Sequence, residues 1–261
     1  MKVSDITAVL ETVAPLHLQE SYDNAGLIVG DPNLEVSGIL FSLDCIESVV
    51  DEAVRKGCNM VVSHHPIVFR GLKQFNGKNY VERTIISAIR QGVALYAIHT
   101  NLDNVLHNGV STRIGSTLGL ENMRILQPKP GTEGIGAGVV GDLPHPEAAL
   151  AFLQRVKQTM KTNCVRHTNL IERPVQRVAV CGGSGSFLLP AAIGSGADVY
   201  ITADFKYHEF FDAENKIVIA DIGHFESEQF TPEIIYAVLQ KKFSNFALYF
   251  TQVNTNPINY A

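Results

Sequence analysis

Apolar residues at helical spacing open the chain. Ile6, Val9, Leu10 and Val13 fall on one face, Ser4 can cap that segment, and Pro15 closes it. Short apolar runs then alternate with amphipathic segments. The pattern predicts strands over 38–43, 59–62 and 93–98, and helices over 46–56, 81–90 and 110–118. Gly57, Gly92 and Gly119 stand near the helix ends, where a left-handed residue is favoured. Strands apolar throughout, joined by helices, are the pattern of a largely parallel sheet covered on both faces.

At 127–131 the rhythm breaks into Gln-Pro-Lys-Pro-Gly, a turn sequence with neither period. It then resumes with strands over 135–140, 175–181, 198–202, 217–221 and 247–251. Helices are expected over 146–160, 187–193, through about 213, and over 226–242. The expected fold class is α/β, with two α/β/α-type domains and largely parallel sheets. Residues 1–126 with 226–261 are expected to form the first domain and 127–225 the second.

Composition narrows the function classes. Of 261 residues, 46% are hydrophobic, enough for a packed core and too many for a disordered chain. The formal net charge of −5 gives no global reason to coat nucleic acid or an anionic membrane. The early acids Asp5 and Glu11 interrupt any signal peptide, and no apolar run approaches the ~20 residues of a membrane span. Cys45, Cys58, Cys164 and Cys181 make no C-x-x-C pair, and their apolar neighbours predict buried structural thiols. A cytoplasmic location is therefore expected.

The nine histidines matter by position rather than number. Val61-Val62 leads into Ser63-His64-His65-Pro66. Tyr96-Ala97-Ile98 leads into His99-Thr100-Asn101-Leu102-Asp103. Val218-Ile219-Ala220-Asp221 leads into Ile222-Gly223-His224 and on to Glu228. Ligands of open α/β sheets gather beyond the carboxyl ends of strands, so three such clusters can serve one site. His224 and Glu228, four apart at a helix start, stack on one face. His64, His65, His224, Asp103 and Glu228 make a mixed nitrogen and oxygen set suited to Zn, Mn, Fe, Co or Ni. His99 is either a further ligand or a group orienting Asp103. His208, after the strand over 198–202, can reach the same crevice. His107, His145 and His167 lie in loop contexts and are expected to be solvated.

These clusters, with Asp23-Asn24-Ala25-Gly26-Leu27, Gly30 and Thr202-Ala203-Asp204 followed by His208, make the chain similar to the Nif-three-like dinuclear metal-centre proteins. That family is often labelled GTP cyclohydrolase 1 type 2 homologs, and the likeness spans essentially the whole chain. The resemblance implies two divalent metal ions on His64, His65, Asp103, His224 and Glu228, a site between two α/β domains, and a toroidal homohexamer. It implies the short form, without the inserted middle domain of longer members. Tyr22 stands where relatives often carry Trp. The label implies opening of the guanine imidazole ring of GTP with loss of formate, with His99 and His208 available as catalytic groups to move protons.

Other readings compete. A non-catalytic metal-binding assembly or regulatory partner would need the same ligands. The turn Gly182-Gly183-Ser184-Gly185 can hold a phosphate at a helix start, but it lacks the Walker lysine and the full dinucleotide fingerprint. Arg70, Lys73 and Lys78 either steer a triphosphate or form a solvated loop.

Overall fold

Val3, Ile6 and Leu10 form the buried face of the first helix, α1 (Val3–Val13). Its cap position is Lys2, two residues ahead of the expected Ser4, with the Lys2 amide donating to Asp5 Oδ2 at 2.8 Å. The computed structural model describes residues 1–261. After a 3-10 turn over Leu16–Leu18 the chain runs through β1 (Gly26–Val29), β2 (Ile39–Ser42), α2 (Glu47–Arg55) and β3 (Met60–Ser63). It continues through α3 (Tyr80–Gln91), β4 (Ala94–Ala97) and the single turn α4 (Thr100–Asp103). Next come α5 (Val110–Thr117), β5 (Glu121–Pro128), β6 (Gly136–Glu147), α6 (Ala149–Thr159) and β7 (Arg166–His167). Then follow β8 (Val175–Ser184), α7 (Leu189–Gly194), β9 (Val199–Ala203), a 3-10 segment over Tyr207–Ala213 and β10 (Val218–Asp221). The chain ends with α8 (His224–Glu228), α9 (Thr231–Lys242) and β11 (Leu248–Phe250).

Two compact units result. One is Met1–Leu102 with Thr231–Pro257, the other Asp103–Phe230 with Ile258–Ala261. The turn sequence at 127–131 lies inside the second unit, at the tip of the β5–β6 hairpin.

The first unit holds a five-stranded sheet in the order β1-β4-β3-β2-β11. All its pairings are parallel except that of β1 with β4. Every residue of β2, β3 and β4 is buried, which is what covering on both faces demands. Leu40, Val61 and Leu95 meet Val49, Val50 and Ala53 of α2 and Ile85 and Ala88 of α3. Each such fully buried aliphatic side chain contributes about 1.5–3 kcal/mol of transfer free energy. On α3, Asn79 caps the start by accepting from the Glu82 amide at 2.9 Å, and Gly92 at φ 66° ends it.

The second unit holds a six-stranded sheet in the order β5-β6-β8-β9-β10-β7. It is mixed: β8, β9 and β10 run parallel, while the β5–β6, β6–β8 and β10–β7 pairings are antiparallel. Strand β5 escapes the periodicity because only Ile125 and Leu126 are buried, as suits an edge strand ending in proline.

The helix expected over 226–242 is interrupted. Pro232 brings no amide to bond the Glu228 carbonyl and is tolerated only in a helix's first turn, so α8 stops at Glu228 and α9 starts at Thr231. The 187–193 segment is a 3-10 turn followed by the six-residue α7. Cys45, Cys58 and Cys181 are buried as expected, but Cys164 is exposed. No helix is long and apolar enough to cross a membrane.

Candidate metal centre

Sheet register decides which side chains meet in the first unit. Ser42 of β2 pairs with Ser63 of β3, and Ser63 pairs with Ala97 of β4. The residues just past those ends therefore leave the same carboxyl edge side by side. The ladder runs one step further, through His64 N to Ser42 O (3.2 Å), His65 N to Leu43 O (3.0 Å) and Ile98 N to Ser63 O (3.0 Å). The His64, His65 and His99 rings consequently cluster, with centroids 4.9, 5.2 and 5.3 Å apart. Their ligating nitrogens lie within 4.8 Å of one another.

Each of these rings is held from behind. His64 is fully buried, and its Nδ1 lies 2.8 Å from the Ile98 carbonyl. A carbonyl only accepts, so Nδ1 is the donor and Nε2 is the nitrogen that faces away from that bond. His65 Nδ1 donates to Asp44 Oδ1 at 2.8 Å, and Asp44 Oδ2 accepts from Thr255 Oγ1 at 2.7 Å. His99 Nδ1 donates to Asp23 Oδ1 at 2.7 Å, while Asp23 Oδ2 accepts from the Thr100 amide and hydroxyl. Burial alone would raise the Asp23 carboxyl, but the bonds from His99 and Thr100 outweigh it and hold it well below the usual carboxylate range.

The second unit repeats the logic on its own parallel strands. Asp221 of β10 pairs with Thr202 of β9, and Ala203 of β9 with Ser184 of β8. Asp204, His224 and the Gly182–Gly183 turn accordingly lie together. His224 Nδ1 donates to Asp204 Oδ2 at 2.7 Å, and His224 Nε2 lies 3.1 Å from Glu228 Oε2. Burial disfavours a charged His224, but Asp204 and Glu228 overcome that and raise it to about 11. Carboxylate oxygens of Asp103 and Glu228 lie within 4.8 Å of each other. Beside them, burial and those two carboxylates push the Cys181 thiol up to about 12.

The glycine turn serves this cluster rather than a phosphate. Gly183 N donates to Ser227 Oγ at 2.9 Å and Gly182 N to Ser111 Oγ at 3.3 Å. The Gly183 and Gly185 carbonyls accept from Thr202 Oγ1 and Tyr200 OH. Gly183 sits at φ +61°, where a Cβ would strike the Glu228 carboxylate and crowd His224. The turn thus lets α8 approach β8.

Of the other sequence candidates, His208 lies exposed on the 3-10 segment, its ring 5.2 Å from Tyr207 and stacked 6.4 Å from Phe211. His107, His145 and His167 are exposed. Arg70 and Lys73 are exposed, and Lys78 reaches Glu82 at 3.7 Å. What sequence reasoning left unassigned is the orienting role of Asp44, Asp23 and Asp204. Their signal is an acid close to a strand end or turn, which becomes specific only once register places a histidine in front of it.

The donors fit a divalent ion: imidazole nitrogens and carboxylates, no thiolate, and an acceptor behind each ring. The family profile Duf34/NIF3 (NGG1p interacting factor 3) matches residues 1–257. A Clostridium acetobutylicum protein named GTP cyclohydrolase 1 type 2 homolog is 34% identical over 257 residues, covering 98% of this chain and 94% of the relative. A Lactococcus lactis protein of the same name is 31% identical, with 98% of each chain covered. The crystal structure of a Staphylococcus aureus hypothetical protein superposes with a TM-score of 0.93 at 28% identity, covering 100% of this chain and 99% of that one.

Proposed function

The chain belongs to the Duf34/NIF3 family, and from that premise we propose that it binds two divalent metal ions through His64, His65, Asp103, His224 and Glu228 and hydrolyses a nucleotide or related heterocycle in the manner of a GTP cyclohydrolase. One observation carries the reading. The three imidazoles of that ligand set, those of His64, His65 and His224, each have Nδ1 fixed by a carbonyl or carboxylate, so each offers Nε2 as its ligating atom. His64 and His65 supply nitrogen, and Asp103, Glu228 and His224 supply mostly oxygen, a mixed donor set of the kind a divalent transition ion takes.

When bound, the ions would supply Lewis acidity and a water acidified to near neutrality. The chain's own residues do the rest. Asp44, Asp204 and the Ile98 carbonyl fix ring orientation. His99, backed by Asp23, is the group placed to move a proton at Nε2. His208 has no carboxylate behind it and receives no step. The toroidal homohexamer and the cytoplasmic location belong to the same proposal.

Metal analysis of protein purified without chelator is expected to give about two ions per chain. Incubation with GTP is expected to release formate, and His64→Ala to abolish the release. Fewer than about one ion per chain refutes the dinuclear reading. Formate no higher than in His64→Ala removes the cyclohydrolase activity and leaves metal binding. A second reading, a non-catalytic metal-binding assembly or regulatory partner, draws on the exposed aromatics Tyr207, Phe211 and Phe187. It predicts the same metals without turnover.

A further inference from the structure

A cavity of about 860 Å³ opens in the first unit, with His65 in its wall. That volume lies in the range of small-molecule sites. Phe69 and Tyr80 also line it, and both rings are half exposed, at 51% and 56%. Phe69 meets His99 edge-on at 5.7 Å, so this wall continues to the histidine cluster. Aromatic faces left open to water beside a reactive edge are stacking plates for another π-system.

The polar lining discriminates further. Asp51 accepts one bond from Gln91 Nε2 at 3.1 Å, and a carboxylate has about four acceptor sites, so Asp51 retains capacity for ring N–H and amino donors. The one cation in the wall, Arg83, is 3.2 Å from Glu47, and no lysine lines the cavity. Glu47 also answers the positive end of α2, in whose first turn it stands. A polyphosphate entering here would meet more negative than positive charge.

We propose that this cavity takes the uncharged ring of a nucleobase or nucleoside, stacked on Phe69 and Tyr80 and read by Asp51, and does not take the phosphates. The proposal rests on the metal-hydrolase reading only for what then happens to the ring.

Equilibrium binding of guanosine and of GTP tests it on the full chain, metal-loaded and chelated, with metal content measured in the same samples. In chelated protein guanosine is expected to bind at least as tightly as GTP. Tyr80→Ala and Asp51→Lys are each expected to weaken guanosine about tenfold, and Asp51→Lys to shift the preference toward GTP. Both positions are exposed, so melting temperatures should stay near the parent's. GTP binding about tenfold tighter than guanosine without metal, or guanosine binding untouched by both substitutions, overturns the proposal. Full metal content without nucleoside binding refutes this proposal alone. Nucleoside binding lost in Tyr80→Ala, in protein that takes up no metal, refutes the metal reading alone.

Discussion

An alanine at position 183 would set a methyl group against the Glu228 carboxylate on a backbone at φ +61°. The left-handed conformation alone costs about 1–2 kcal/mol for a residue with a Cβ. Gly183→Ala should therefore lower the melting temperature and also weaken metal uptake, because Glu228 must move. An unchanged metal content would show that the close approach is unimportant. Asp23 gives a pH-dependent counterpart. Its carboxyl lies well below the usual range, so its stabilisation is complete above about pH 4 and is lost as pH falls through the lowered value. Asp23→Asn should cost about 1–3 kcal/mol at pH 7, and urea titrations should show the gap between variant and parent closing in acid.

Among the elements, α2 carries a fastening for the C-terminal segment. Buried Glu52 accepts from Thr251 Oγ1 at 2.5 Å, from the Gln252 amide at 3.0 Å and from Lys56 Nζ at 3.0 Å. Burial works to raise its carboxyl, but these bonds hold it below its ordinary value. Glu52→Gln should destabilise by about 1–3 kcal/mol at neutral pH and loosen 251–257. The effect should fade below about pH 4, where the parent carboxyl begins to take up its proton; proteolysis of the C-terminal segment at pH 7 reads the loosening directly. Elements with a strong single period were legible from sequence. β2, β3, β4, α2 and α3 lie within about two residues of their expected bounds. Those that failed lack that signal. β1 buries only Gly26 of its four residues, β5 buries only two, and β7 has two residues in all. The break in the last long helix was legible in Pro232, but the apolar period on both sides of it concealed the stop.

For the whole molecule, the two units share one device: each parallel trio, β2-β3-β4 and β8-β9-β10, delivers its chemistry just past its carboxyl edge. The strand-end histidines made that much legible. The acids behind them were not, since pairing Asp23 with His99 requires a contact 76 residues apart. A proton balance follows. His224, raised to about 11, is protonated at pH 7 in metal-free protein, and its stabilising contribution is full below about 6.5 and lost as pH rises through 11. A metal ion must displace that proton. Calorimetric titrations at pH 7 in buffers of different ionisation enthalpy should show about one proton released per His224 engaged, and less in Asp204→Asn. Identical heats in all buffers would contradict this.

The sulfur nearest the acidic cluster has a consequence for survival in oxidising conditions. Cys181 is buried, and that burial is the main cause that raises its thiol. Peroxide attacks thiolates, not thiols shielded in this way. A cluster built from imidazole and carboxylate, next to a cysteine that stays a thiol, offers an oxidant nothing to convert to sulfenic acid. Hydrogen peroxide at doses that modify exposed Cys164 should leave metal content unchanged.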